Sequence, residues 1–464
     1  MNPSEASSPS SSVLWPLLLV PFAGTRLETA LPLLWNTLFG AIAASLIGRF
    51  TVIWTDAGEE KRATTVSVAV TALLLIFSGN LIGLTLLGME HMLQVLLAVC
   101  VAIGVAESFA GRNIPWWSIL AAGFAPAVRY ESLSLTVGMA IALVGARRFR
   151  TASGTFLCSL LPLAAFAFFL HHLGLPALPE SVLVKGSVGS GSAVQRFLGV
   201  VGRNLEFVRF APLWRVPLLV LTGVFAYLFI KSRQRQQRFA LAAALCVCVL
   251  QFLFGQFNWF HRYEVFAVVF VAMLVLPATA AHLLTRRVMF GVLCVSASAY
   301  VVALLLTPFA SRGIYLQQAQ MHRFTTAFYH GNVAINDLGM VSYRRSQGTY
   351  VLDLFGLASP EAAAHPTKQA DWLIDVTQRK QSALAMIYPD WFQVPPSWVA
   401  IGKLCEHHTR GTVLGEPCVV FFSTQPGNAH GLRQLFRAFA QTVPDGSIAT
   451  VLPDNAADPL HGGG

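Results

Sequence analysis

Residues 264–284 read EVFAVVFVAMLVLPATAAHLL. Between Glu264 and His282 no side chain is ionisable. A run of about 20 apolar residues is the length that a helix needs to cross the hydrocarbon core of a bilayer. Its flanks differ: His261-Arg262-Tyr263 stands before it and Arg286-Arg287 after it. Working outward, the same kind of stretch recurs at 12–24, 29–49, 64–87, 92–110, 115–130, 132–146, 153–172, 212–230, 239–255 and 288–308. The stretches at 12–24, 115–130 and 132–146 are short for a span and fit broken, tilted or half-inserted helices. The pattern predicts a polytopic α-helical membrane protein of about 10–11 spans.

The composition agrees. Of 464 residues, 55% are hydrophobic and 12% charged, about half the charge of an ordinary soluble domain. A disordered chain, a coiled coil and a nucleic-acid-binding protein are all excluded on that ground. The net charge of +10 then reads as cytoplasmic loops rather than a nucleic-acid surface. Four basic clusters, Lys61-Arg62, Arg147-Arg148 with Arg150, the run from Lys231 to Arg238, and Arg286-Arg287, all fall on one side of the span order. Placing them in the cytoplasm puts the end of the last span outside.

Beyond Ser311 the composition becomes ordinary, with strand-like runs at Asn332–Asp337 and Tyr350–Leu354. The expected organisation is a polar N-terminal segment over 1–11, a membrane domain over 12–308, an extracytoplasmic α/β domain over 309–426 and a partly disordered tail over 427–464. No internal repeat is evident. Residues 1–12 are rich in Ser and lack the basic start of a signal peptide. Five of the seven cysteines sit in apolar stretches and read as small buried hydrophobes. Cys405 and Cys418 lie in the exported domain, where an oxidising compartment allows a disulfide; a bridge and two free thiols are equally compatible with the sequence. Neither pair has zinc-site spacing, and no metal site is expected.

The polar clusters of the membrane domain gather on the side opposite the basic ones. They are Gly88-Met89-Glu90-His91, Arg129-Tyr130-Glu131, Leu178-Pro179-Glu180-Ser181 followed by Lys185, and Asn258-Trp259-Phe260-His261-Arg262-Tyr263-Glu264. Charges near spans are costly and mark functional sites by default. Each cluster also has a plainer reading. Glu90 and His91 fit a helix N-terminus, Arg129 and Glu131 a local pair, Arg262-Tyr263-Glu264 an interfacial anchor, and Lys185 a snorkelling side chain. Their common side favours one outward-facing site.

On these residues the chain resembles the GT-C superfamily of membrane glycosyltransferases, in particular its bacterial arabinofuranosyltransferase-like and lipopolysaccharide-sugar-transferase-like members. Gly88-Met89-Glu90-His91, Arg129-Tyr130-Glu131 and Leu178-Pro179-Glu180-Ser181…Lys185 follow the order of that family's motifs. Ser12-Val13-Leu14-Trp15-Pro16-Leu17-Leu18 resembles its span opening. Asn336-Asp337-Leu338-Gly339 and Val351–Leu357 resemble its exported domain. The resemblance implies transfer of a sugar from a polyprenyl-phosphate donor to an envelope glycan or lipid acceptor, on the outer face of the cytoplasmic membrane. Its partners would be that donor, that acceptor and the bilayer, with no nucleic acid. It names no cofactor and leaves a divalent cation open. Arg129, Lys185 and Arg262 would hold phosphate, while His91, Glu131, Glu180, Tyr263 and Glu264 would orient these cations or contact the sugar. The family's catalytic Asp in an early outer loop has no counterpart: the only Asp of the membrane domain is Asp56, on the cytoplasmic side. Two expectations follow: a start lying upstream of this Met1, or loss of the base, with Glu90 as the replacement. A lipid or solute transporter and a non-catalytic membrane scaffold of the same family remain the alternatives.

Overall fold

A computed structural model describes residues 5–56, 65–186, 195, 198–202, 204, 215–257, 261–279, 283–346, 348–365, 367–407 and 413–453. The chain divides into two compact units. One is helical and comprises residues 11–169 and 187–305; the other comprises 1–10, 170–186 and 306–464 and carries the sheet.

In the helical unit the described elements are α1 (Leu14–Leu19), α2 (Leu31–Asp56), α3 (Thr65–Ser78), α4 (Leu81–Leu87), α5 (His91–Phe109), α6 (Trp116–Val128), α7 (Leu133–Gly145) and α8 (Phe149–His172). After α9 (Glu180–Gly186), which belongs to the sheet unit, come α10 (Val216–Lys231), α11 (Arg235–Phe254), α12 (Val265–Thr279) and α13 (Leu283–Leu316). Six described helices are long and apolar enough to cross a membrane, and four shorter ones are also apolar. The expected span at 64–87 is interrupted at Gly79-Asn80, where Asn80 adopts φ +44°. The expected span at 288–308 is part of the 34-residue α13. The first stretch forms only six residues of α-helix and one short 3-10 turn.

Burial separates the helices into two kinds. Along α12 every residue from Val265 to Val275 is at most 3% exposed, and thirteen of the nineteen residues of α5 are buried. Small residues let neighbours approach these inner helices. A side chain at Gly104 would sit 2.7 Å from Ser118, and one at Gly145 would sit 2.5 Å from Phe239. By contrast α8 is as apolar, yet only 17% of its most apolar window is buried, and for α2 the share is 22%.

The sheet unit contains β1 (Val333–Ile335), β2 (Val351–Asp353), β3 (Leu384–Ile387), β4 (Val399–Glu406), β5 (Cys418–Ser423) and β6 (Ser447–Val451), with α14 (Gln318–Arg323), α15 (Pro360–Ala364), α16 (Ala370–Arg379) and α17 (Ala429–Ala440). The spatial order is β2-β1-β3-β5-β4-β6. β1 runs parallel to β2 and β3, and the remaining pairings are antiparallel. Side chains alternate across the sheet with period 2. Val333, Ile335, Met386 and Phe421 pack with Phe324 and with Phe436 and Phe439 of α17. Ala334, Ala385, Ile387 and Phe422 pack with Leu373 and Val376 of α16. At Gly402, beside a register shift in β4, a side chain would overlap the Phe436 ring.

Three boundaries differ from the sequence expectation. Residues 427–451, expected as a loose tail, form α17 and edge strand β6, because Leu432, Phe436 and Phe439 complete one face of the core. The N-terminal segment is not separate: Glu5 pairs with Lys380 and accepts from the Tyr350 hydroxyl. Residues 170–186, expected inside the membrane domain, group with the sheet, where α9 packs against α15. Cys405 and Cys418 stand opposite each other in the β4–β5 register and form a disulfide.

Candidate functional site

The sequence motifs converge at the helix ends of the helical unit. Gly88 ends α4 in the left-handed conformation at φ +65°, which glycine adopts without strain. The chain then turns through Met89 and Glu90 into α5. Glu90 stands at the N-cap of α5 but makes no side-chain capping bond. Its carboxylate lies instead 2.7 Å from Arg129 Nη1. Glu90 and His91 thus do open a helix, as the plainer reading has it, while the Glu90 carboxylate is turned to Arg129. Arg129 leaves α6 in extended conformation at φ −155° and donates through Nη2 to Glu131 at 3.0 Å. One guanidinium thus joins two carboxylates, with the Ser11 hydroxyl 3.3 Å from Nη1. Arg129 is 3% exposed and Glu90 5%, so the charges are held by each other rather than by water.

The fourth motif closes the cluster through Tyr263. The Arg129 guanidinium lies 4.9 Å from the Tyr263 ring centroid and the Arg262 guanidinium 5.0 Å, both within cation–π range. Arg262 also donates to the Tyr263 hydroxyl at 3.0 Å and lies 3.4 Å from Met89 Sδ. His91 meets Tyr263 edge-on at 5.4 Å. His261, at φ +52°, brings Nδ1 to 3.1 Å from Glu264. The two arginines therefore differ in role. Arg129 is bound to two carboxylates, whereas among the described residues the hydrogen bonds of Arg262 go to a phenol and a thioether.

The structure thus brings together Glu90, His91, Arg129, Glu131, Arg262, Tyr263 and Glu264. Asn258, Trp259, Phe260 and the Lys185 side chain lie outside the described residues. Glu180 belongs to the sheet unit and has different neighbours. Burial pushes its carboxyl up to about 7; the charge of Asp353 adds to the rise and the Ser8 backbone N–H opposes it. Asp353 ends β2 and accepts from the backbone N–H groups of Phe355, Gly356 and Ala358 at 3.0, 3.2 and 2.7 Å. Burial lowers the nearby Lys368 amine to about 8, against the pull of Asp353. Asp353 thus fixes a loop, and Glu180 is a buried acid of the sheet unit.

Several polar residues of the cluster carry no sequence motif. Gln94 donates to Ser132 at 2.9 Å, both buried. Arg215, at the start of α10, is 2% exposed with its guanidinium 4.6 Å over the Phe257 ring. An arginine opening an apolar run was the available signal for Arg215. For Ser11 and Gln94 there was none, because their partners are remote in sequence.

Among the described residues no group of three or more His, Cys, Asp or Glu is placed to hold a metal ion. A family described as a domain of unknown function, DUF8728, matches residues 312–422, which begin near the end of α13, run through β5 and leave out the arginine cluster. No curated protein and no solved structure matches the chain.

Proposed function

We propose that this chain is a multi-pass protein of the cytoplasmic membrane with its sheet domain outside, and a glycosyltransferase of GT-C type. It would take a sugar from a polyprenyl-phosphate donor and pass it to an envelope glycan or lipid. The observation that carries the reading is the buried pair Glu90–Arg129, with Glu131 beside it, joined through Tyr263 to Arg262, assembled from motif residues more than 170 positions apart. Six long apolar helices with large exposed faces support residence in a bilayer. The Cys405–Cys418 disulfide supports an oxidising compartment for the sheet domain.

In this reading Arg262 receives the departing phosphate, since a cation placed where charge develops lowers the barrier. Arg129 positions Glu90 and Glu131, which accept hydroxyl donors of the sugar or acceptor. In this reading Glu90 would take the acceptor proton, which requires the acceptor hydroxyl to displace part of its pairing with Arg129.

The test is turnover in lipid nanodiscs with a panel of polyprenyl-phospho-pentoses and -hexoses, following release of polyprenyl phosphate. Turnover of one donor is expected, with Arg262→Ala lowering kcat by about 100-fold or more, the scale of a lost charge-stabilising donor. Donor binding without turnover in the native chain would instead support the non-catalytic scaffold. Neither binding nor turnover in a folded sample would overturn the assignment.

A further inference from the structure

In the helical unit a cavity of about 260 Å³ is lined by Gly145, Ala146, Arg147, Gln234, Arg235 and Gln236. It lies between the C-terminus of α7 and the first turn of α11. Two cations, Arg147 and Arg235, line it, and the flanking sequence over 145–150 and 231–238 adds Arg148, Arg150, Lys231, Arg233 and Arg238 with no carboxylate. The loop at Gly111 lies beside Gln236, since a side chain there would sit 3.1 Å from it. Its neighbour Arg112 is paired with Glu107 and lies 4.8 Å over the Trp54 ring, so Glu107 already has a partner.

The cations are also ordered in a particular way. Lys231 lies 5.9 Å over Tyr227, Arg238 5.3 Å over Phe229 and Arg235 5.5 Å over Phe239. Arg235 additionally donates to the Val144 carbonyl at 3.2 Å. Arg147 occupies a left-handed position at φ +60°, the helix-ending conformation that usually falls to glycine. Beside the cations stand large exposed apolar side chains: Ile230 is 79% exposed, Tyr227 60% and Phe149 55%. A small hydrated anion would use the cations alone. An anion attached to acyl chains would use the cations and the apolar neighbours together.

We propose that this cavity binds the phosphodiester headgroup of an anionic phospholipid, with Arg147 and Arg235 as its cations and the acyl chains along Phe149, Tyr227 and Ile230. Basic pockets of this kind between membrane helices favour acidic headgroups. The inference rests on the membrane residence proposed above, but not on sugar transfer.

The experiment uses the full chain released from nanodiscs containing equal amounts of phosphatidylglycerol and phosphatidylcholine, with retained lipid counted by native mass spectrometry. The native chain should retain phosphatidylglycerol in preference by about tenfold. The double variant Arg147→Gln/Arg235→Gln should fall to within about twofold of parity, while Arg437→Gln in the sheet unit should keep the preference. Equal retention of both lipids by the native chain overturns the proposal. So does an unchanged preference in the double variant, and so does displacement by millimolar inorganic phosphate, which would identify a site for small anions. Thermal unfolding of the double variant in detergent shows that it is folded. Because lipid retention is counted without turnover, failure here leaves sugar transfer standing, and loss of sugar transfer leaves this site standing.

Discussion

Phe421 in the sheet unit is fully buried, 4.9 Å from Phe436 and 5.2 Å from Phe324. Leu161 and Phe168 on α8, in an equally apolar segment, are 65% and 74% exposed. The interiors are alike in kind, each an apolar core with a few buried charges, Glu90 and Arg129 in the helical unit and Glu180 and Asp353 in the sheet unit; the difference lies at the surface. One chain therefore follows two rules. The sheet unit sorts apolar atoms away from water. The helical unit also buries an apolar core along α5 and α12, yet leaves the equally apolar flanks of α2 and α8 exposed, as residence in a bilayer would require.

Removing one interior group from each unit gives the largest expected effects. Phe436→Ala should cost about 3–5 kcal/mol in chemical denaturation followed on the sheet unit. Arg129→Ala should cost a similar 3–5 kcal/mol, for the different reason that it strands two carboxylates. Glu90→Met/Arg129→Met removes the partners together and should recover most of that stability without recovering turnover. If the double variant is as unstable as the single one, Glu131 and Ser11 hold more of the cluster than the pair does.

Next come charges placed on the two surfaces. Leu161→Lys should cost about 2.5–3.5 kcal/mol if α8 faces lipid, read as a reduced membrane-integrated fraction. Ile448→Lys on β6, 46% exposed, should change stability by less than about 0.5 kcal/mol. Equal effects at both positions would erase the contrast between the units.

The smallest effect concerns pH. Glu180 has its folded-state carboxyl raised to about 7 from the ordinary 4.5, so the folded state holds a proton that the unfolded state has released. The sheet unit should therefore lose stability as pH rises from about 4.5 through 7. Glu180→Gln should remove that part of the dependence. Thermal unfolding at pH 5 and pH 8, native against variant, measures the difference. A native slope retained in the variant would assign it to the other buried acids, Asp337 and Asp353, which burial also raises.

The apolar stretches and the division into helical and sheet parts were legible because composition and local period carry them. Glu90, Arg129, Glu131, Arg262 and Tyr263 were legible as charges and aromatics flanking apolar runs. Whether Glu90 capped its helix or reached Arg129 was not, since both begin from the same position in the chain. Pairings such as Ser11 with Arg129 or Glu5 with Lys380 leave no local trace, because they depend on where distant segments come to lie. In the segment Ala429–Ala440 the Gly, Pro and Ala around it mask a helix whose Leu432, Phe436 and Phe439 fall on one face.

Strand β5 reads Cys418-Val-Val-Phe-Phe-Ser423, and its two faces are nearly interchangeable: Val419 and Phe421 on one, Val420 and Phe422 on the other. A slip of one residue against β4 would bury almost the same side chains, so hydrophobicity alone discriminates weakly between the two alignments. The bond between Cys405 and Cys418 admits only one of them. In that sense the disulfide acts as a proofreading mark, written once the strands are correctly aligned and selecting against a misreading that packing would tolerate.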